Sequence, residues 1–138
     1  MDSEDQRIAV VTCMDARLDA ADFLDDWPAT VHIVRNAGGR VTGDVLRSLA
    51  ASCAMGTRRI LVIHHSQCAM AEHGDDDLRK LLPPGANAEV DFLTIADPIE
   101  TLRQDLLSIE SSPLLPAEIE VAGFIYDLDS REAREIQV

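Results

Sequence analysis

The sequence predicts an α/β fold: a mainly parallel sheet of about four strands flanked by helices, with a possible antiparallel edge strand at the C-terminus. Three observations lead there. Short β-branched apolar runs alternate with longer stretches of helical periodicity, the pattern of βαβ units. The runs are apolar throughout, as strands buried on both faces are. No repeat, low-complexity tract or long linker divides the 138 residues, so a single domain over 1–138 is expected.

The elements follow in order. Arg7–Thr12 (RIAVVT) reads as the first strand. Leu18–Asp26 carries Leu18, Ala21 and Leu24 at helical spacing, and Trp27-Pro28 closes it. Val31–Val34 is a second strand and Asn36–Gly39 a turn. Gly43–Met55 is the clearest helix, with Val45, Leu46, Leu49, Ala50, Cys53 and Ala54 on one stripe. Thr42 or Gly43 caps its start, Asp44 favours its first turn and Gly56 ends it. Arg59–His65 (RILVIHH) is the third strand, and the polar stretch Glu72–Asp77 reads as a loop. Asp97 as cap and Pro98 in the first turn open another helix. Ile99, Leu102, Leu106 and Leu107 supply its face, and Ser112-Pro113 ends it. Ile119–Tyr126 is the fourth strand, and the tail after it turns back as the edge strand.

Composition narrows the partners. Twelve basic against 25 acidic residues give a net charge of −13. Such a chain repels phosphate backbones and anionic lipid, which argues against nucleic acid or a membrane surface as partner. The longest apolar runs are a few residues, far short of the roughly 20 a membrane helix needs. The acidic start, Met1-Asp-Ser-Glu-Asp-Gln6, has no apolar core of a secretory signal. Three cysteines, an odd number, argue for a reduced, cytoplasmic protein rather than a disulfide framework.

Parallel sheets bind ligands beyond the carboxyl ends of their strands. The first strand runs into Cys13-Met-Asp15-Ala-Arg17 and the third into His65-Ser-Gln-Cys68. Both segments therefore fall on one edge of the sheet. Two thiolates and an imidazole suit Zn²⁺, and three protein ligands leave the fourth tetrahedral position open. His64 points to the opposite face, because side chains alternate along a strand. Asp15 and Arg17 follow Cys13 at steps of two. A carboxylate beside a metal, oriented by a guanidinium fork, accepts a hydrogen bond from metal-bound water. Cys53 lies on a helical apolar stripe and reads as core.

Three blocks, Cys13-Met-Asp-Ala-Arg17, Val34-Arg-Asn-Ala-Gly-Gly39 and His64-His-Ser-Gln-Cys68, resemble the signatures of the β-class carbonic anhydrases, closest to their short bacterial and archaeal branch. The resemblance runs from about Ile8 to Tyr126. It implies a zinc enzyme with Cys13, His65 and Cys68 as ligands and Asp15 and Arg17 as the catalytic dyad. Asn36, Ala37, Gly38 and Gly39 then border the substrate pocket, where glycine permits close backbone approach. Hydration of carbon dioxide to bicarbonate by a zinc-bound hydroxide is the implied reaction. Zinc makes that possible by lowering the pKa of bound water from about 15.7 to about 7, a value established for another carbonic anhydrase. A homodimer or higher homo-oligomer is implied too, although few residues precede the first strand to form the N-terminal arm that embraces a partner in the family. Ala69, in place of a common glycine, and Gln67 depart from the family pattern. His73 is a conceivable proton shuttle, and a solvated loop histidine otherwise. Two alternatives stay open: hydrolysis of carbonyl sulfide or carbon disulfide on the same scaffold, and a catalytically silent zinc-binding protein.

One lysine, Lys80, stands against eleven arginines. A heavily acidic, lysine-poor surface suits a salt-rich cytosol, where ions screen self-repulsion; the alternative is an acidic protein from an Arg-biased genome. The Debye length falls from ~10 Å at 0.1 M salt to ~3 Å at 1 M. Melting temperature and oligomeric state are therefore expected to rise markedly between about 0.1 and 2 M KCl, by thermal melts and light scattering. A flat melting temperature would leave only the acidic, Arg-biased reading.

Overall fold

The computed structural model describes residues 7–19, 31–86 and 89–137. The helix expected over Leu18–Asp26 falls, beyond Asp19, outside the described residues, as do the six residues before Arg7.

Five strands form one sheet in the order β2-β1-β3-β4-β5. In chain order they are β1 (Arg7–Cys13), β2 (Val31–Asn36), β3 (Thr57–His65), β4 (Glu120–Asp127) and β5 (Glu132–Ile136). The first four are mutually parallel, and β5 pairs antiparallel with β4 as the expected edge strand. Two long helices connect them, α1 (Gly43–Ala54) between β2 and β3 and α4 (Pro98–Glu110) between β3 and β4. Between these lie the short helices α2 (Ala69–Glu72) and α3 (Asp75–Lys80).

Both long helices begin as their sequences dictate. The Thr42 hydroxyl accepts the Val45 amide at 3.3 Å, and Asp97 accepts that of Glu100 at 3.2 Å with Pro98 in the first turn. Helix α3 corrects the expectation of a loop over Glu72–Asp77. Asp75, Asp76 and Asp77 crowd its first turn and Arg79 and Lys80 its last, so both ends favour the helix dipole. Arg79 ties back to Asp75 and Asp76 at 3.2 and 3.1 Å.

Side-chain alternation divides the core in two. On one face Ala9, Val11, Ile60 and Val62 meet Val45, Leu49 and Cys53 of α1 and Leu102, Leu106 and Ile109 of α4. On the other, Ile8, Val10, Leu61 and Ile63 meet Leu18, Met70, Ile95 and Tyr126. Each fully buried Leu, Ile or Val is worth roughly 1.5–3 kcal/mol. Leu102 and Leu106 are buried as read from sequence, but Thr101, Asp105 and Ile109 complete the buried stripe of α4 in place of Ile99 and Leu107. Ile99 and Leu107 lie at the exposed margin, Leu107 with 63% of its surface accessible. Helix α4 comes so close because Gly123 of β4 has no side chain: a Cβ there would stand 2.7 Å from Leu106 Cδ1.

The connections set the location of a site. From β1 the chain proceeds to β2 on one side, whereas from β3 it passes through α4 to β4 on the other. The carboxyl ends of neighbouring β1 and β3 thus flank a topological switch point, the position at which an open α/β sheet leaves a crevice.

Candidate metal centre

Cys13 ends β1, His65 ends β3, and Cys68 precedes α2. Parallel pairing sets Thr12 beside Ile63, so the three residues converge at the crevice. Their ligand atoms lie within 4.8 Å of one another, and all three residues are buried. The two sulfurs are 4.0 Å apart. Tetrahedral bonds of about 2.3 Å to one zinc ion would place them roughly 3.8 Å apart, so the pair fits that metal.

The imidazole is prepared for the same task. His65 Nδ1 lies 2.6 Å from the Ser66 carbonyl oxygen, which accepts its proton and leaves the Nε2 lone pair free. Nε2 is buried, has no hydrogen-bond partner, and faces the two thiols. A buried polar atom left unpaired is costly unless a ligand satisfies it.

The thiols divide their protons unequally. The Cys68 hydrogen bond, aided by His65 and the Gly38 amide, pulls the Cys13 thiol down to about 3 against the effect of burial. Cys68 moves up, because its proton bridges to the Cys13 thiolate and because it is buried. Burial opposes a charged His65, yet its attraction to the Cys13 sulfur prevails and raises its pKa. A cation bound here would favour the deprotonated form of both thiols.

Asp15 and Arg17 sit at the rim of the crevice. Arg17 Nη2 donates to Asp15 Oδ2 at 2.6 Å, Nε donates to both carboxylate oxygens at 3.1 Å, and the Arg17 amide donates to Oδ1 at 2.9 Å. These hydrogen bonds hold the Asp15 carboxyl well below the usual range. Asp15 Oδ2 remains 4.0 Å from His65 Nε2, at the open side of the tripod.

The turn expected to border the pocket divides its roles. Ala37 and Gly38 line a small, mostly apolar cavity of about 120 Å³ with Cys13, Met14, Asp15, Cys68, Ala69 and Met70. The Gly38 amide donates to Cys13 Sγ at 3.3 Å. Asn36 faces away and closes the turn, with Oδ1 accepting the Arg40 amide at 2.9 Å and Nδ2 donating to the Arg40 carbonyl at 2.8 Å. Gly39 lies against β1: a Cβ would stand 2.9 Å from the Thr12 carbonyl carbon, and its φ of +66° strains any other residue. Ala69 opens α2 and adds its methyl group to the pocket wall. His73 is exposed at the end of α2.

Sequence reasoning missed two supports. Arg35 of β2 donates to the carbonyls of Cys13, Asp15 and Leu18 at 2.8, 2.7 and 3.2 Å, fixing the path of the dyad loop. On the opposite face, as alternation requires, His64 Nε2 lies 3.1 Å from the Gly39 carbonyl oxygen and 3.2 Å from Asp105 Oδ2. Arg40 Nε donates to the same Asp105 oxygen at 2.9 Å. Taking one member from such a buried ionic set costs about 3–5 kcal/mol. The Val34-Arg-Asn-Ala-Gly-Gly39 block signalled Arg35's place but not its partners. Asp105 gave no signal beyond being an acid on the apolar face of a helix.

Comparison with known proteins agrees with this geometry. The family model described as carbonic anhydrase matches residues 8–82. The chain is 36% identical over 134 residues to Beta-carbonic anhydrase 1 of Mycobacterium tuberculosis, covering 95% of this chain and 82% of the relative. It is 28% identical over 157 residues to a carbon disulfide hydrolase of an Acidianus strain, covering 94% and 77%. Among solved structures, the carbonic anhydrase of Streptococcus mutans superposes with a TM-score of 0.89 at 38% identity, covering 98% of this chain and 82% of the other.

Cys13, His65 and Cys68 are expected to hold one metal ion per chain. Cys68→Ala should lose most of it, and Cys53→Ala, altered in the helix α1 core, should keep it, by elemental analysis of purified protein. Stoichiometric metal in Cys68→Ala would overturn the ligand assignment.

Proposed function

The chain belongs to the β-class carbonic anhydrase family, and from that premise we propose that it catalyses the reversible hydration of carbon dioxide to bicarbonate with zinc held by Cys13, His65 and Cys68. The observation that carries this reading is the open tripod: three converging ligand atoms, an unpartnered buried imidazole nitrogen, and an apolar pocket beside them. Zinc, when bound, supplies a Lewis acid that yields a hydroxide nucleophile near neutral pH.

The chain's own residues do the rest. Cys13, His65 and Cys68 would hold the ion, with Asp15 beside the trio, its Oδ2 4.0 Å from His65 Nε2. Ala37, Ala69 and Met70 give carbon dioxide an apolar wall and keep competing water out. Asp15 stays an anion through the neutral range, since Arg17 stabilises its charge. From the rim of the crevice it would accept a hydrogen bond from the nucleophile and so help to orient it towards the pocket. Arg17 keeps the carboxylate from swinging into the tripod as a fourth ligand. The Gly38 amide offsets part of the charge on the Cys13 sulfur. Small, linear carbon dioxide needs no more than a short pocket, and about 120 Å³ suffices.

The wider setting follows the same reading. Residues 1–138 act as one domain. The exposed Met14 and Ile33, on the rim loop and on edge strand β2, suit burial against a second copy in a homo-oligomer. Three free thiols suit a reducing cytoplasm. Among the described residues no helix is long and apolar enough to cross a membrane.

Stopped-flow hydration assays on zinc-loaded protein should show turnover with carbon dioxide that rises with pH through neutrality, and none with carbon disulfide. Asp15→Asn should lower kcat by about 10²-fold or more while zinc stays bound, as loss of a positioned hydrogen-bonding group at a reacting centre does. Unchanged turnover in Asp15→Asn would remove the dyad from the mechanism, and turnover of carbon disulfide alone would reassign the substrate.

A further inference from the structure

Between the two metal-ligand residues of the third strand's loop lies a residue in an unusual backbone state. Gln67 has φ +56°, in the left-handed region that non-glycine residues seldom occupy. Such a conformation persists where surrounding contacts over-determine it. Here the contacts lead to Arg17 on one side and Asp129 on the other. The Gln67 carbonyl accepts Arg17 Nη2 at 2.9 Å, and its side-chain Oε1 faces Arg17 Nη1 at 3.4 Å. Its amide Nε2 donates to Asp129 Oδ2 at 3.2 Å.

The order of donors and acceptors is the informative part. A guanidinium stands on one side of the Gln67 amide and a carboxylate on the other, so only one orientation of that amide satisfies both. The amide dipole therefore points its oxygen at the cation and its nitrogen at the anion. Asp129 is itself fixed. It lies in the β4–β5 turn, where Asp127 Oδ1 accepts the amides of Asp129 and Ser130 at 2.8 and 3.0 Å. Ser66, next to Gln67, is joined to that turn through its hydroxyl, which accepts the Leu128 amide at 2.9 Å.

Arg17 needs such a brace. Half of its side chain is open to solvent, whereas Asp15 is largely covered. An exposed arginine samples many rotamers unless several bonds hold it. Asp15 supplies one side of the fork, and Gln67 supplies the other.

We propose that Gln67 is a positioning residue, anchored by Asp129, that holds the Arg17 guanidinium against Asp15. This rests on the dyad reading above. It gives a role to a residue that departs from the family pattern and makes the β4–β5 turn part of the site. Glutamate at 67 would face Asp129 charge to charge, and asparagine would fall short of both partners.

The test uses zinc-loaded full-length protein and three readouts: the Arg17 Nε–H signal in ¹⁵N NMR, the melting temperature, and kcat with KM. Gln67→Gly accepts φ +56° without strain, so its melting temperature should equal or exceed the parent's. The backbone carbonyl of residue 67 still accepts Arg17 Nη2, but without the Oε1 contact and the Asp129 anchor the Arg17 Nε–H signal should broaden, and kcat should fall about 3–10-fold at constant KM, as small misplacements at a reacting centre do. Asp129→Ala should produce a smaller loss in the same direction, and the two together no more than Gln67→Gly alone. Gln67→Glu combined with Asp129→Asn keeps the 67–129 hydrogen bond with its direction reversed, and should recover the Arg17 signal. Parental kcat and an unchanged Arg17 signal in Gln67→Gly would overturn the proposal, as would losses that follow melting temperature. Asp15→Asn measured beside them separates the two readings: if it keeps full turnover the dyad reading fails, while the Arg17 signal still reports whether Gln67 holds the guanidinium.

Discussion

Everything at the centre depends on β1 and β3 lying side by side while their connections depart in opposite directions. Adjacent parallel strands end at the same edge, and diverging connections leave the space between those ends unfilled. Cys13 and His65 are the last residues of those two strands. Their separation is therefore fixed by ladder hydrogen bonds and by the register that sets Thr12 beside Ile63. A loop-borne site would have to supply that precision from side chains. Here only Cys68 has to be delivered from outside the sheet, and it lies three residues beyond His65.

The second requirement is electrostatic. A negative cluster of sulfur cannot be buried cheaply, and the fold meets this with donors rather than with a nearby lysine. The Gly38 amide donates to the Cys13 sulfur, and Arg35 donates to the carbonyls of the loop that follows it. The turn that brings Gly38 in is itself gripped from below, where His64 and Asp105 meet beneath Gly39. Gly39 has to be glycine twice over, for its positive φ and for its contact with the backbone of Thr12 and Cys13. At the rim, Arg17 holds the Asp15 carboxylate with hydrogen bonds from its guanidinium and its backbone amide.

How much of this was legible depends on how local the cause is. Strands β1 and β3 were readable because burial on both faces writes an uninterrupted apolar run, β2 and β4 are only partly buried yet keep their short apolar runs, and the observed ends of all four lie within two residues of those read from sequence. Cys13, His65, Cys68, Asp15 and Arg17 were readable as a group because each lies at, or within four residues of, the carboxyl end of β1 or β3. Helix α3 was not, since three aspartates resemble a solvated loop until the arginine and lysine after them are weighed as its other end. The face of α4 was misjudged because Leu107 and Ile109 are both apolar and two residues apart, and only packing against Gly123 and β3 chooses between them. Asp105 was invisible: its partners Arg40 and His64 lie 65 and 41 residues away, and no local pattern records such a meeting. Asn36 was placed near the pocket by family resemblance, while its amide serves the turn.

The central claim is a zinc ion held by two sulfurs and one imidazole with a fourth position left for solvent. X-ray absorption at the zinc edge of the purified protein addresses it directly. The account predicts stoichiometric zinc with two sulfur scatterers at about 2.3 Å and two lighter ones at about 2.0–2.1 Å, one of them with the outer-shell signature of imidazole. A shell with one sulfur or none, or one with no light ligand besides imidazole, would contradict it.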